Sequence, residues 1–380
     1  MKCELSLICG YVNETIATSE LSKFNYISTE NMLPNKNGIE PASSLPNQKV
    51  VKAFKKGDIL ISNIRPYFKK IWLAEYNGGC SNDVLVIRAK KGTNKEFLYY
   101  LLSENKFFDY VTASSKGTKM PRGDKNAIMN YLVPEFEEKE QRKIAKLLGT
   151  IDKKIKVNKK INDNLEKQME LYFRYLFIDN INSNWEIGCI ADIGTVIGGG
   201  TPSKAKSEYY TNNGIAWITP KDLSNQKSKF ISRGENDITE LGLKNSSAKI
   251  MPKGTILFSS RAPIGYIAIA NNDITTNQGF KSIIPNIEFG TSYIYYLLKQ
   301  NIPIIESMAS GSTFKEVSGK TMKEIPVIIP DLTTLATFNN FCNKLFEKQK
   351  NLEKESLILA NIRNYLLNIL MSNKCNFSKI

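Results

Sequence analysis

An apolar run followed by serine, arginine and proline occurs twice, in KKGDILISNIRP (55–66) and MPKGTILFSSRAP (251–263), about 196 residues apart. Each run starts at a Lys-Gly pair and ends in a guanidinium, a group whose planar fork suits guanine edges and phosphates. The pattern continues in step: YYLL (99–102) and YYLL (295–298), then SSKGTKM (114–120) and ASGSTF (309–314). LVPEF (132–136) and IIPDL (328–332) then each open a long helical stretch. Two equivalent units suit an extended, two-part ligand better than they suit catalysis, and catalytic chemistry is hard to place here. The chain has no histidine, which excludes Ser-His-Asp and Cys-His catalysis and any histidine metal ligand. GKT at 319–321 resembles the tail of a phosphate-binding loop, but Phe314 stands where that loop needs its first glycine. The triple glycine 198–200 meets Ser203 where a dinucleotide fingerprint needs another glycine. The 14 prolines include no adjacent pair, so the Pro-Pro step of an adenine methyltransferase is missing. Glu137 and Lys139, after Pro134, are faintly nuclease-like, but they fall at a helix start, where acidic residues favour the dipole.

Bulk properties favour a polyanion as partner. The net charge is +15, from 52 basic and 37 acidic residues. Divided at residue 183, the halves carry +9 and +6, so the excess is not a tail on a neutral body. Six scattered cysteines without a C-x-x-C pair point to a reducing compartment and away from zinc. No run approaches the ~18–20 apolar residues of a membrane span, and the start lacks the apolar core of a signal peptide. The expectation is a cytoplasmic protein of a bacterium or archaeon, with no membrane association.

The elements that must position these residues form four segments. Residues 1–134 are mixed, with strand-like DILISNI (58–64) and DVLVIRA (83–89) and a helix near 94–111. Residues 135–180 read as one helix, with Gly149 as the single glycine and no proline. Residues 181–330 repeat the mixed pattern, with GTILFSS (254–260), FKSIIP (280–285) and a helix around 290–309; residues 331–380 are largely helical again. Both helices carry an apolar seam with alternating steps of four and three. One runs Ile144, Leu148, Ile151, Ile155, Asn158, Asn162, Leu165 to Leu176; the other runs Phe338, Cys342, Leu345, Gln349, Leu352, Ser356, Leu359 to Leu370. Each seam is roughly 48 Å long, too long for a domain of such size to cover. The polar centres would meet if the helices lie antiparallel, with Asn158 and Asn162 near Gln349, Leu352 and Ser356. The fold class expected is α+β: two globular mixed α/β domains joined by a long antiparallel two-helix coiled coil, with a pseudo-twofold internal repeat.

GGGTPSKAKSEYYTNNGIAWITPKDL (198–223), with SSRAPIGYIAIA (259–270), TTNQGFKSI (275–283) and ASGST (309–313), resembles the target-recognition domain of type I restriction–modification specificity subunits. The first half, with YISTENMLPNKNGIEP (26–41) and ISNIRPYFKKIW (61–72), resembles another subclass of that domain. VPEFEEKEQRKIAKLLGTIDKKI (133–155) resembles the start of the family's conserved helix; LTTLATFNNF (332–341) departs from it in having no Glu-Gln. The resemblance covers essentially the whole chain. It implies target-recognition domains at 1–134 and 181–330 and spacer helices at 135–180 and 331–380. It also implies that the chain is a non-catalytic DNA sequence-specificity subunit reading a bipartite, asymmetric site, one half per domain. The implied partners are double-stranded DNA, two methyltransferase subunits and restriction subunits. S-adenosylmethionine, ATP and magnesium would belong to those partners, with no cofactor or metal in this chain. The alternatives are a DNA methyltransferase or nuclease with its own active site, disfavoured by the missing motifs, and a solitary architectural or regulatory DNA-binding protein.

Arg and Lys favour guanine and phosphate, Asn and Gln adenine, and loops between short strands are where such groups are free to reach DNA. The candidates in the first domain are Arg65, Tyr67, Lys69, Lys70, Asn82, Lys116, Thr118, Lys119 and Arg122. Those in the second are Ser203, Lys204, Lys221, Arg261, Asn277, Gln278, Lys281, Thr313 and Lys315. Trp72 and Trp217 are expected in the core.

Overall fold

The computed structural model describes residues 2–226, 228–311 and 315–372. The chain forms two compact units, the first from the segments up to Val157 and from Ser356 onward, the second from Asn158–Glu355. This division differs from the four segments expected, because each long helix belongs partly to both units.

In the first unit, Cys9–Tyr11, Val84–Ala89, Ile59–Ser62 and Ile71–Leu73 form an antiparallel sheet in that order. All four residues of Ile59–Ser62 are buried, the mark of a strand covered on both faces. Its side chains alternate between two cores: Ile59 and Ile61 join one cluster with Leu85 and Ile87, while Leu60 joins another with Val84, Val86 and Trp72. A second sheet holds Thr15–Ala17, Val50–Phe54, Gly78–Cys80 and Tyr26–Ile27, the last pair parallel.

The second unit repeats the plan. Gly194–Gly198, Lys281–Pro285, Ile256–Ser260 and Ile264–Ala270 occupy the same order, with Phe230–Ile231 added as an outer parallel strand. Ile256 and Phe258 face one core and Leu257 the other. The smaller sheets differ in one respect. Asn236–Ile238 lies between Tyr210–Thr211 and Ile215–Ile218, whereas Val50–Phe54 in the first unit pairs directly with Gly78–Cys80.

The helix expected near 94–111 is two helices, Lys95–Leu102 and Asn105–Ala113. Glu104 adopts extended backbone between them (ψ 144°), and the Ser103 hydroxyl turns back to donate to the Tyr99 carbonyl at 2.7 Å. The counterpart, Gly290–Ser307, is continuous. GKT (319–321) lies in the five-residue helix Gly319–Lys323, capped by Ser318, matching Lys125–Met129 capped by Asp124.

The first long helix spans Glu138–Arg174 and passes into a π-helical turn at Tyr175–Asp179; the second spans Leu332–Leu370. Within the second unit they run antiparallel. Asn158 donates to Glu355 at 2.8 Å, the Gln349 amide donates to the Asn162 carbonyl at 3.2 Å, and Tyr172 stacks on Phe338. Leu165, Leu345 and Leu352 line the same core. Within the first unit, Ile144 and Leu148 share a core with Leu367, Leu370 and Met371. Ile151, Ile155, Ser356 and Leu359 are half-buried.

Candidate nucleic-acid interface

Three loops of the first unit are drawn together by backbone bonds. The Arg65 amide donates to the Pro121 carbonyl at 2.8 Å, Asn63 to Asp83 at 2.8 Å and Gly123 to Asn63 at 3.1 Å. Arg65 itself has a left-handed backbone (φ 50°), which throws its exposed side chain outward from the strand end. Arg122 pairs with Asp83 at 3.1 Å and Lys116 with Asp124 at 2.7 Å. That bond to Asp124 raises the Lys116 ammonium above the usual lysine value. Arg65, Asn82, Lys116 and Arg122 are therefore neighbours, with exposed Thr118 and Lys119 on the same 116–122 loop. Tyr67, Lys69 and Lys70 follow on the turn Pro66–Phe68 and just after it. Lys69 is held by Asn105 at 3.1 Å. Lys70 is spent differently: it donates to the Thr29 carbonyl at 2.6 Å, and burial pulls its ammonium below the usual value.

In the second unit, Arg261 and Lys281 converge on one carboxylate, Glu316, at 3.4 and 3.1 Å. Gln278 receives the Thr201 hydroxyl, bringing the 199–206 loop with exposed Ser203 and Lys204 to the same turn. Asn277 shapes that turn, accepting from the Gly279 amide at 2.9 Å. Lys221 lies on the helix Pro220–Asn225, paired with Glu235 at 2.7 Å, which raises its ammonium above the usual value. Lys315 is exposed one residue before Glu316. Thr313 lies outside the described residues.

The repeat aligns these loops with a one-residue offset from the sequence pattern. Ile64 and Lys116 both bridge to Arg122; Arg261 and Ser310 both bridge to Glu316. Arg65 and Ala262 share the left-handed backbone, at φ 50° and 51°. Arg65 is thus the counterpart of Ala262, and Arg261 of Ile64. Glu316 occupies the place of Arg122, a reversal of charge at one position of the fold. Selecting cations and amides overlooks Glu316, although a carboxylate three residues beyond ASGST (309–313) stands in the sequence. Phe68 and Met120, exposed beside Tyr67 and Pro121, also carry no polar signal. Trp72 and Trp217 are buried, the latter donating to the Gly200 carbonyl at 2.9 Å.

Paired sheets, repeated once and each ending in a cluster of cationic and amide loops, define a protein of two like units. Residues 10–167 and 182–354 each match the family described as "Type I restriction modification DNA specificity domain". The chain belongs to that family. The Type I restriction enzyme MjaIX specificity subunit of Methanocaldococcus jannaschii is 44% identical over 198 residues, 51% of this chain and 45% of that protein. The chain thus spans under half of that relative's length. The Type I restriction enzyme HindI specificity subunit of Haemophilus influenzae is 24% identical over 433 aligned residues, 92% of this chain and 94% of that one. The crystal structure of the type I restriction-modification S subunit from M. genitalium has the same fold, with a TM-score of 0.62 at 18% identity over 98% of this chain and 96% of that one. Among the described residues no helix is long and apolar enough to cross a membrane.

Proposed function

We propose that each unit reads one half of a bipartite, asymmetric DNA site and that the chain carries two methyltransferase subunits, and in a full complex restriction subunits, to that site. In this reading the chain performs no catalysis, and S-adenosylmethionine, ATP and magnesium act on the partner subunits. It works in the cytoplasm, where the DNA is.

One observation carries the reading: a single architecture occurs twice with unlike loop chemistry. In the first cluster Arg122 and Lys116 each pair with their own carboxylate, Asp83 and Asp124, beside an exposed Arg65, whereas in the second an acid, Glu316, stands in the place of Arg122 and holds both Arg261 and Lys281. Base edges are discriminated by such differences in donors and acceptors, while phosphates need only positive charge. A solitary architectural binder would gain nothing from unlike faces.

The experiment is an exchange of residues 185–330 for the matching segment of a relative, followed by genome-wide mapping of methylated adenines. One half of the recognised motif should change and the other persist. A hybrid that alters both halves together would defeat the two-reader proposal.

A further inference from the structure

Lys229 is placed unlike a surface lysine. Its side chain is 7% exposed and lies among the rings of Phe346, Tyr295 and Tyr296, at 4.6, 5.0 and 5.3 Å from their centres. The ammonium is paired with Glu166 and bonds to Gln349 Oε1 at 2.8 Å and the Tyr296 hydroxyl at 3.0 Å. Its three N–H groups thus meet three acceptors. Those acceptors belong to three helices: the first long helix, the second, and Gly290–Ser307. Lys229 itself comes from the sheet. Its carbonyl accepts from Ile269 at 2.8 Å, and it directly precedes the outer strand Phe230–Ile231. Ser228, beside it, donates to Glu353 of the second long helix. Glu166 is closed off by Lys299 at 2.7 Å and the Tyr296 hydroxyl at 3.0 Å.

The first unit holds a related but different arrangement. Tyr100, 196 residues before Tyr296, donates to Asp152 at 2.7 Å, and Arg363 of the second long helix pairs with Asp152 at 2.8 Å. There the cation comes from a helix, not from the sheet.

Buried ion pairs add little stability over an apolar filling, because desolvation offsets the Coulomb gain. What they can add is uniqueness: a buried charge is satisfied in one register and left unpaired in the others. Lys229 meets that description between the reading sheet and both long helices. We propose that Lys229 is a positioning residue for DNA reading, locking the second domain onto the helix pair at one register and so restricting the gap at which its half-site is read. This rests on the bipartite reading proposed above.

The test uses the full chain with its methyltransferase subunits. The half-sites are first mapped from methylated adenines. Duplexes then keep both half-sites while the gap is shortened or lengthened by one or two base pairs. The wild type should favour one gap. Lys229→Met and Tyr296→Phe should each lower that preference by about tenfold, the scale of one disturbed contact, with the bases of both half-sites unchanged. Tyr296→Phe removes a single hydroxyl and keeps the test open should Lys229→Met not fold. Unaltered gap preference in a folded variant, whatever its loss in melting temperature, would show a structural role only and overturn the proposal. So would relaxed base preference with the gap unchanged. A wild-type complex without any two-part site would instead overturn the bipartite reading, and the lock with it.

Discussion

Glu316 holds two cations, Arg261 and Lys281, that would otherwise repel each other and sample many rotamers. A guanidinium held in this way loses less entropy on meeting a base. Arg261→Ala should therefore cost about 1–3 kcal/mol of discrimination at one base pair of the second half-site and nothing in the first. Competition binding with single-base variants of the site checks this; uniformly weaker binding with discrimination unchanged would place Arg261 on phosphate instead. Lys36 supplies a pH test in the first unit. Burial, and then Lys69 and Arg363, push its ammonium down to about 8 from 10.5. Between those values the unfolded chain binds more protons than the folded one, so this group makes stability rise as pH climbs from 8 towards 10.5. Lys36→Met should lack that increment. Urea midpoints of wild type and variant, compared across the window, should diverge with the wild type gaining; parallel curves would refute the argument.

At the scale of elements, the triple glycine 198–200 is explained by packing rather than by a bound phosphate. A Cβ on Gly199 would lie 2.0 Å from the Asn277 carbonyl oxygen, and one on Gly200 would lie 2.2 Å from the Ala248 nitrogen. Gly199 lets the loop lie directly on the backbone of Thr276 and Asn277, and Gly200 on that of Ser247 and Ala248. A Cβ on Gly198 meets nothing within 4 Å. Gly199→Ala should thus destabilise the chain by about 1–3 kcal/mol through overpacking, whereas Gly198→Ala should be nearly neutral. Chemical denaturation separates the two, and equal effects would mean that the loop is not held by this close approach.

For the whole molecule, helices that set the spacing of half-sites must change it with their length. One heptad inserted within 150–170 keeps the seam in phase and lengthens the helix by roughly 10 Å, or ~3 base pairs at 3.4 Å each. The recognised gap should grow by that amount with both half-sites retained, as read from methylated adenines. A four-residue insertion would turn the seam out of phase and should weaken assembly. An unchanged gap after the heptad insertion would mean that something other than helix length measures the site.

Duplication, the two long helices and the strand-like runs were legible in the chain itself, because each rests on a pattern of neighbouring residues. The steps from Ile144 to Leu165 are such a period, whereas the alternation of Ile59, Leu60 and Ile61 between two cores is seen only in the fold. Legible too was the absence of histidine-based chemistry, which needs only composition. The candidate loops were legible in the sequence, but not how the fold pairs their residues. Sequence spacing equated Arg65 with Arg261, and only the bridges to Arg122 and Glu316 reveal the one-residue offset. Lys70 read as a reader, yet its ammonium turns to the Thr29 carbonyl. Lys229 carried no signal at all. Its partners Glu166, Tyr296 and Gln349 lie 63, 67 and 120 residues away, and neither period nor composition records such distances. Which lysine meets solvent and which is buried among three rings depends on long-range packing, so it was decided by the tertiary structure alone.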